Sequence, residues 1–251
     1  MENLTVIESY LDDELKINQI SDACSNGLEV GGKEIVKKII FMVDASEEGF
    51  KLAVDKQADM IIVHHGLFFG NIKKINGNLY KRIKVLIDNE ISLYAAHLPL
   101  DIHCQFGNNV QIAGILGLHN IRQISVGGYT DLLVIGELDH ETDIEIFLNL
   151  IKEKINPDSR ILSFGNNTVK KIGIISGSGS EAIEVSAQLG ADLFLTGEPK
   201  LAAYHNAKES EINIVFAGHY YTEVFGLRSL MNHIVNKFQV TAEFIDIPTF
   251  I

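Results

Sequence analysis

The sequence predicts an α/β fold of two similar lobes, each a mixed sheet flanked by helices. Two observations carry this expectation. Strand-length apolar runs alternate with helix-length segments, the pattern of sheets whose parallel strands are joined by right-handed crossovers. The order strand, helix, strand, helix, strand then occurs a second time further along the chain, which reads as an internal duplication.

In chain order, KKIIFMVDA (37–45) reads as a strand, 46–57 as a helix and ADMIIVHHG (58–66) as a strand. A glycine-containing loop, a helix over about 79–89 and the strand ISLYAAH (91–97) follow. A turn at Gly127-Gly128-Tyr129 marks the boundary, giving lobes 1–126 and 127–251 with a cleft expected between them. DLLVIGEL (131–138) reads as a strand and about 142–154 as a helix. The second copy is KKIGIIS (170–176), the loop GSGS (177–180), a helix over 181–189, ADLFLTGE (191–198), a helix to about 208, and INIVFAGH (212–219). Ala58-Asp59 and Ala191-Asp192 open the middle strand of each copy, and His97 and His219 close the third.

Lys plus Arg number 21 against 33 Asp plus Glu, a net charge of −12. That balance disfavours a broad grip on nucleic acid or on an anionic membrane. Cys24 and Cys104 have no paired spacing, so neither a disulfide framework nor a thiolate zinc site is indicated, and a reduced cytoplasm is the expected location. The longest apolar runs are strand-length and the N-terminus lacks a signal pattern, so no membrane span is expected.

Chemistry collects at strand ends, where α/β folds place it. His64 and His65 end one apolar run; His97 ends another, with Asp101 four residues on; His219 ends a third, with Glu223 four residues on. Imidazole and carboxylate are ligands of Zn, Mn, Fe and similar divalent ions, so the pattern points to a metal site. Adjacent side chains on a strand face opposite ways, so His64 and His65 reach one place only where the strand ends, which suits two ions with one ligand each. A helix starting at His219 would put Glu223 on the same face. Pro99 disfavours a regular helix between His97 and Asp101, so a loop is expected there, with Asp101 as the ligand bridging two ions and His97 orienting from behind. SGSGSE (176–181) fits a Ser178–Glu181 capping box or a glycine-rich phosphate cradle. Glu198, in the second copy's counterpart of the His64-His65 strand end, is a further candidate site residue.

With these motifs in hand, the chain resembles the GTP cyclohydrolase 1 type 2 homologue family, the Ngg-interacting-factor-three-like dinuclear metal proteins, in its short bacterial form. The likeness rests on NGLEVGGKE (26–34), ADMIIVHHGLFF (58–69), LYAAHLPLDIH (93–103), FGNN (106–109), LTGEPK (195–200), AGHYYTE (217–223) and FIDIP (244–248). The resemblance implies two divalent metal ions per chain (Zn, Mn, Fe or similar) on His64, His65, Asp101, His219 and Glu223, with Glu223 a bridge. It also implies a toroidal homohexamer with its metal sites facing an internal cavity. The implied activity is metal-dependent hydrolysis of a small molecule: ring opening of GTP or a related nucleotide, or cleavage of a phosphoester, with His97 or Glu198 moving the proton. The alternative is a non-catalytic metal-binding ring that engages a macromolecular partner.

Overall fold

The computed structural model describes residues 1–71 and 74–250; Ile72 and Lys73, in the expected glycine-containing loop, and Ile251 lie outside them. In chain order the first elements are β1 (Glu2–Asn3), α1 (Leu4–Glu14), β2 (Gly27–Val30), β3 (Ile35–Val36), β4 (Lys38–Asp44), α2 (Glu47–Asp55), β5 (Met60–His65), α3 (Gly77–Asp88) and β6 (Ser92–Ala95). Next come α4 (Leu98–Asp101), α5 (Asn108–Ile115), β7 (His119–Val126), β8 (Tyr129–Asp143), α6 (Ile144–Lys154), β9 (Arg160–Leu162) and β10 (Thr168–Ile174). The last are α7 (Ile183–Gln188), β11 (Leu193–Thr196), α8 (Leu201–Glu209), β12 (Asn213–Phe216), α9 (His219–Lys237) and β13 (Thr241–Phe244).

Packing divides the chain into two units, Met1–Leu100 with Leu227–Ile247, and Asp101–Gly226 with Pro248–Ile251. This partition follows the sheets and differs from a division at 126/127. Gly127 and Gly128 both have positive φ and form the two-residue tip of a hairpin pairing Val126 with Tyr129, so β7 and β8 stay in one sheet. At the other end, β13 pairs in parallel with β4 and returns to the first sheet.

The first unit carries a five-stranded sheet in the order β13-β4-β5-β6-β2, parallel except for β2. Its central strands are buried almost throughout, as the uninterrupted apolar runs IIFMV and MIIV require when helices cover both faces of a sheet. One core cluster is built on Ile40, Met42, Phe50, Ile61, Val63, Leu86 and Leu93. Ser46 caps α2 by accepting from the Gly49 N–H, and Glu47 and Glu48 lie at the positive end of the helix dipole.

The second unit carries a six-stranded sheet, β7-β8-β10-β11-β12-β9, with β10, β11 and β12 parallel and the rest antiparallel. Its core gathers Phe147, Leu148, Ile151, Ile172, Ile174, Leu193, Leu195 and Val215. Asp143 caps α6 through the Glu145 and Ile146 N–H groups, with Lys152 and Lys154 in its last turn.

The duplication is visible in the ladders. Ile39 pairs with Met60 and Met60 with Ser92 in the first unit; Ile172 pairs with Leu193 and Leu193 with Asn213 in the second. The repeated Asp explains itself physically. Asp59 accepts from the backbone N–H groups of Lys37 and Lys38 at 2.9 and 3.1 Å, and Asp192 accepts from those of Lys170 and Lys171 at 2.9 and 2.8 Å. Each carboxylate ties two neighbouring strands together just where their parallel pairing begins, at Ile39 with Met60 and at Ile172 with Leu193.

The ladders also correct one sequence pairing. Ala95 sits opposite Val63 and Phe216 opposite Thr196, so the counterpart of His97 is Gly218, and His219 lies one residue further on. Asp101 and Glu223 are displaced in the same way. The single helical turn α4 replaces the expected loop after His97, because Pro99 lies in its first turn, where no intrahelical N–H is needed.

Because the two aspartates do the same work, Asp59→Ala and Asp192→Ala should each cost about 2–3 kcal/mol, from the loss of charge-assisted hydrogen bonds to backbone. Urea unfolding of the two variants checks this; a loss at one position and none at the other would contradict their equivalence. A second expectation concerns Glu29 on β2, which accepts from the N–H groups of Leu67 and Phe68 at 2.7 and 3.2 Å. Burial raises its carboxyl from 4.5 to about 6 despite those two donors. The folded chain therefore binds this proton more tightly than the unfolded chain, and the contribution is present below 4.5 and lost as pH rises through about 6. Glu29→Gln should flatten the stability profile in that window, as read from melting temperatures at several pH values.

Candidate metal centre

Three histidines meet at the strand ends of the first unit. His64 and His65 finish β5 and His97 stands two residues past β6, with ring centroids 4.9, 5.0 and 5.6 Å apart pairwise. One ligand nitrogen from each lies within 4.8 Å of the others, so the group could hold a metal ion. His64 is fully buried, while the side chains of His65 and His97 keep about a fifth of their surface exposed.

Each ring is held through Nδ1. His64 Nδ1 donates to the Ala96 carbonyl at 2.9 Å, His65 Nδ1 to Asp44 Oδ1 at 2.8 Å, and His97 Nδ1 to both Asp22 oxygens at 3.0 Å. This fixes the tautomer and makes Nε2 the atom a metal would take. Asp22 also accepts from the N–H groups of Cys24 and Leu98 and from the Asn26 side chain. Its burial opposes ionisation, but the hydrogen bonds and the His97 ring outweigh it and hold the carboxyl well below the usual range.

Carboxylates dominate the second unit's donor set. Asp101 is buried, and its Oδ1 accepts from Asn108 Nδ2 at 2.8 Å and Ser176 Oγ at 3.0 Å. Asn108 is itself anchored by the Gly226 N–H at 2.7 Å, and Asn109 accepts from the Ser176 N–H at 2.6 Å. His219 and Glu223, one turn apart at the start of α9, bring Nε2 and Oε1 to 3.0 Å, while His219 Nδ1 lies 3.0 Å from Glu198 Oε2. Burial, the largest influence on His219, lowers its pKa, yet the hydrogen bonds and charges of Glu223 and Glu198 together push it up to about 9. Glu198 is correspondingly lowered, first by its bond to His219.

Glycines make this geometry possible. A Cβ on Gly177 would lie 2.3 Å from Glu223 Oε1, and one on Gly197 would lie 2.7 Å from His219 Cα. The GSGS loop serves the same packing. Its Gly177 and Gly179 N–H groups donate to the hydroxyls of Thr222 and Thr196, and Ser178 bonds Glu198. The Ser178–Glu181 capping box does not form: the short turn Ser180–Ala182 begins at Gly179 with no side-chain cap. The Ser178 hydroxyl is directed to Glu198.

The structure thus places His64, His65 and His97 together in one unit, and Asp101 in a buried polar network and His219 with Glu223 and Glu198 in the other. Asp22, Asp44, Asn108 and Ser176, which orient these groups, were not singled out by sequence. Their partners lie as far as 75 residues away along the chain, and no short motif joins them. The buried Asn108-Asn109 pair at the start of α5 was the one available signal, because tandem buried amides demand partners. Among the described residues no helix is long and apolar enough to cross a membrane.

The family model described as Duf34/NIF3 (NGG1p interacting factor 3) matches residues 2–249. A GTP cyclohydrolase 1 type 2 homolog from Archaeoglobus fulgidus is 43% identical over 249 residues, covering 98% of this chain and 99% of the relative. One from Haemophilus influenzae is 36% identical, covering 98% of each. Among solved structures, protein ybgI, described as of unknown function, superposes with a TM-score of 0.94 at 34% identity over 100% of both chains. Reduced HcgD from Methanocaldococcus jannaschii does so with a TM-score of 0.85 at 26% identity over 98% of both. With its duplicated α/β units and its histidine and carboxylate clusters, the chain belongs to the Duf34/NIF3 family.

Proposed function

We propose that this protein binds two divalent metal ions per chain through His64, His65, Asp101, His219 and Glu223, and is a cytoplasmic metal-dependent hydrolase acting on GTP, a related nucleotide or a phosphoester. The observation that supports this best is that His64, His65 and His219 each bind an oxygen through Nδ1. Proteins commonly hold metal-ligating histidines in this way, with Nε2 turned to the ion. The donor set fits the group as well: imidazole and carboxylate together suit Zn, Mn and Fe. The names of the curated relatives support the choice of reaction.

When bound, such ions would supply Lewis-acid polarisation of a substrate oxygen and an activated water. The chain's own residues do the rest. Asp101 is oriented in advance by Ser176 and Asn108, and Asp44 and Glu198 orient His65 and His219. Glu198 has a quarter to a third of its side chain exposed and lies against a candidate ligand, so it is placed to accept a proton and pass it to solvent. A closed homohexamer is part of the same reading, and the net charge of −12 would keep such a ring soluble.

Metal analysis of chelator-free protein should find about two ions per chain, as a paired-metal site requires. Glu223→Gln keeps the side-chain volume and removes the charge, so affinity should fall at least about tenfold with the fold intact. A Glu at a helix start that merely met the dipole would contribute only about 0.3–1 kcal/mol of stability and leave metal binding unchanged. Titration calorimetry with circular dichroism separates the two, and equal affinity in a folded variant would remove Glu223 from the ligand set. Light scattering at micromolar concentration should give a mass near about six chains, the closed-ring expectation; a monomeric mass would refute the ring.

A further inference from the structure

We infer that His97 is itself a metal ligand, completing with His64 and His65 a three-imidazole set carried wholly by the first unit. The inference rests on the reading that the chain binds metal and extends its ligand list by one residue. His97 otherwise stands as an orienting group or a proton carrier.

The geometry treats the three rings alike. Each has its Nδ1 committed to an oxygen acceptor 2.8–3.0 Å away, and each acceptor belongs to the same unit. If His97 only oriented another ligand, its ring would direct a nitrogen at that ligand. Instead Asp22 holds its Nδ1 from behind, and its ring packs among those of His64, His65 and Phe69. With metal–nitrogen bonds of about 2.0–2.1 Å, nitrogens on one ion lie within about 4.2 Å of one another. The three rings already bring one nitrogen each within 4.8 Å, close to that limit.

The anchoring of His97 is more extensive than that of a surface histidine. Its backbone N–H donates to Asn26 Oδ1 at 2.7 Å, the next N–H donates to Asp22 at 3.0 Å, and the Asp22 side chain is only 2% exposed. A buried carboxylate that accepts from four donors on four residues serves to hold one ring in one orientation. Such preorganisation is the usual support of a ligand. An Nε2 bound to metal cannot also carry protons, so the proton-transfer role falls to Glu198.

The test uses the full chain loaded with Co2+ and observed by proton NMR. Each cobalt-bound imidazole contributes one strongly shifted, solvent-exchangeable N–H resonance. In folded His97→Gln one such resonance should disappear and Co2+ affinity should drop roughly tenfold or more. In Asp22→Asn, which keeps the His97 ring and changes its acceptor, one resonance should move. The inference is overturned if His97→Gln retains every shifted resonance, whether or not affinity falls, since weakened binding alone marks an orienting residue. If His97→Gln does not fold, an Asp22→Asn spectrum with all resonances unmoved overturns it equally. Failure of the wild-type chain to take up Co2+ would instead refute the metal reading as a whole, so the two failures are distinguishable.

Discussion

Parallel pairing in fixed register is the constraint on which everything else depends. Parallel strands all finish at the same edge, and there the backbone leaves the sheet and side chains no longer alternate between two buried faces. In the first unit the ladder places Asp44 opposite His65, so the carboxylate and the imidazole it orients become neighbours by register alone. Backbone bonds beyond the strands, from Ala45 to the His65 carbonyl and from Ala96 to the Val63 carbonyl, carry the ladder through the histidines. The rings therefore stand on hydrogen-bonded backbone, the rigid support that a preorganised ligand set needs.

The second unit keeps the ladder and changes what stands on it. Where the first copy ends its strands in Asp44, His64 and His97, the equivalent positions of the second are Gly177, Gly197 and Gly218, and its chemistry is moved onto the helix that follows. The close approaches at Gly177 and Gly197 show why: side chains there would collide with Glu223 and with the His219 backbone. Duplication followed by this exchange gives one unit rich in imidazole and another rich in carboxylate. A tandem of identical units could not offer that contrast.

Much of this was legible in the sequence, for identifiable reasons. Continuous apolar runs marked the central parallel strands, because both of their faces are buried, and repeated Ala-Asp pairs marked the duplication, because each Asp ties two strands together where their parallel pairing begins. His64, His65, Asp101, His219 and Glu223 stood out because they sit beside those runs. The packing units were harder to read: a Gly-Gly turn looks the same at a domain boundary and at a hairpin tip, and nothing local in residues 241–244 says that they pair with β4. The one-residue displacement of His219 from the His97 position was likewise hidden, since only the ladder fixes equivalence. Asp22 was invisible because its role is created by folding across 75 residues.

The electrostatics of the second unit bear on which ions it would accept. His219 lies within 3.0 Å of two carboxylates, whose hydrogen bonds and negative charge push its pKa up to about 9 despite burial. A divalent cation would satisfy the same two carboxylates, so proton and metal would compete for one place, as at any site whose ligands must be deprotonated. The first unit lacks that feature. Its Asp22 and Asp44 face the Nδ1 side of their rings, behind the atoms that would bind metal. For a bound ion, the imidazole set would select by ligand type, favouring a borderline divalent ion over magnesium or calcium, whereas the carboxylate set would select by charge.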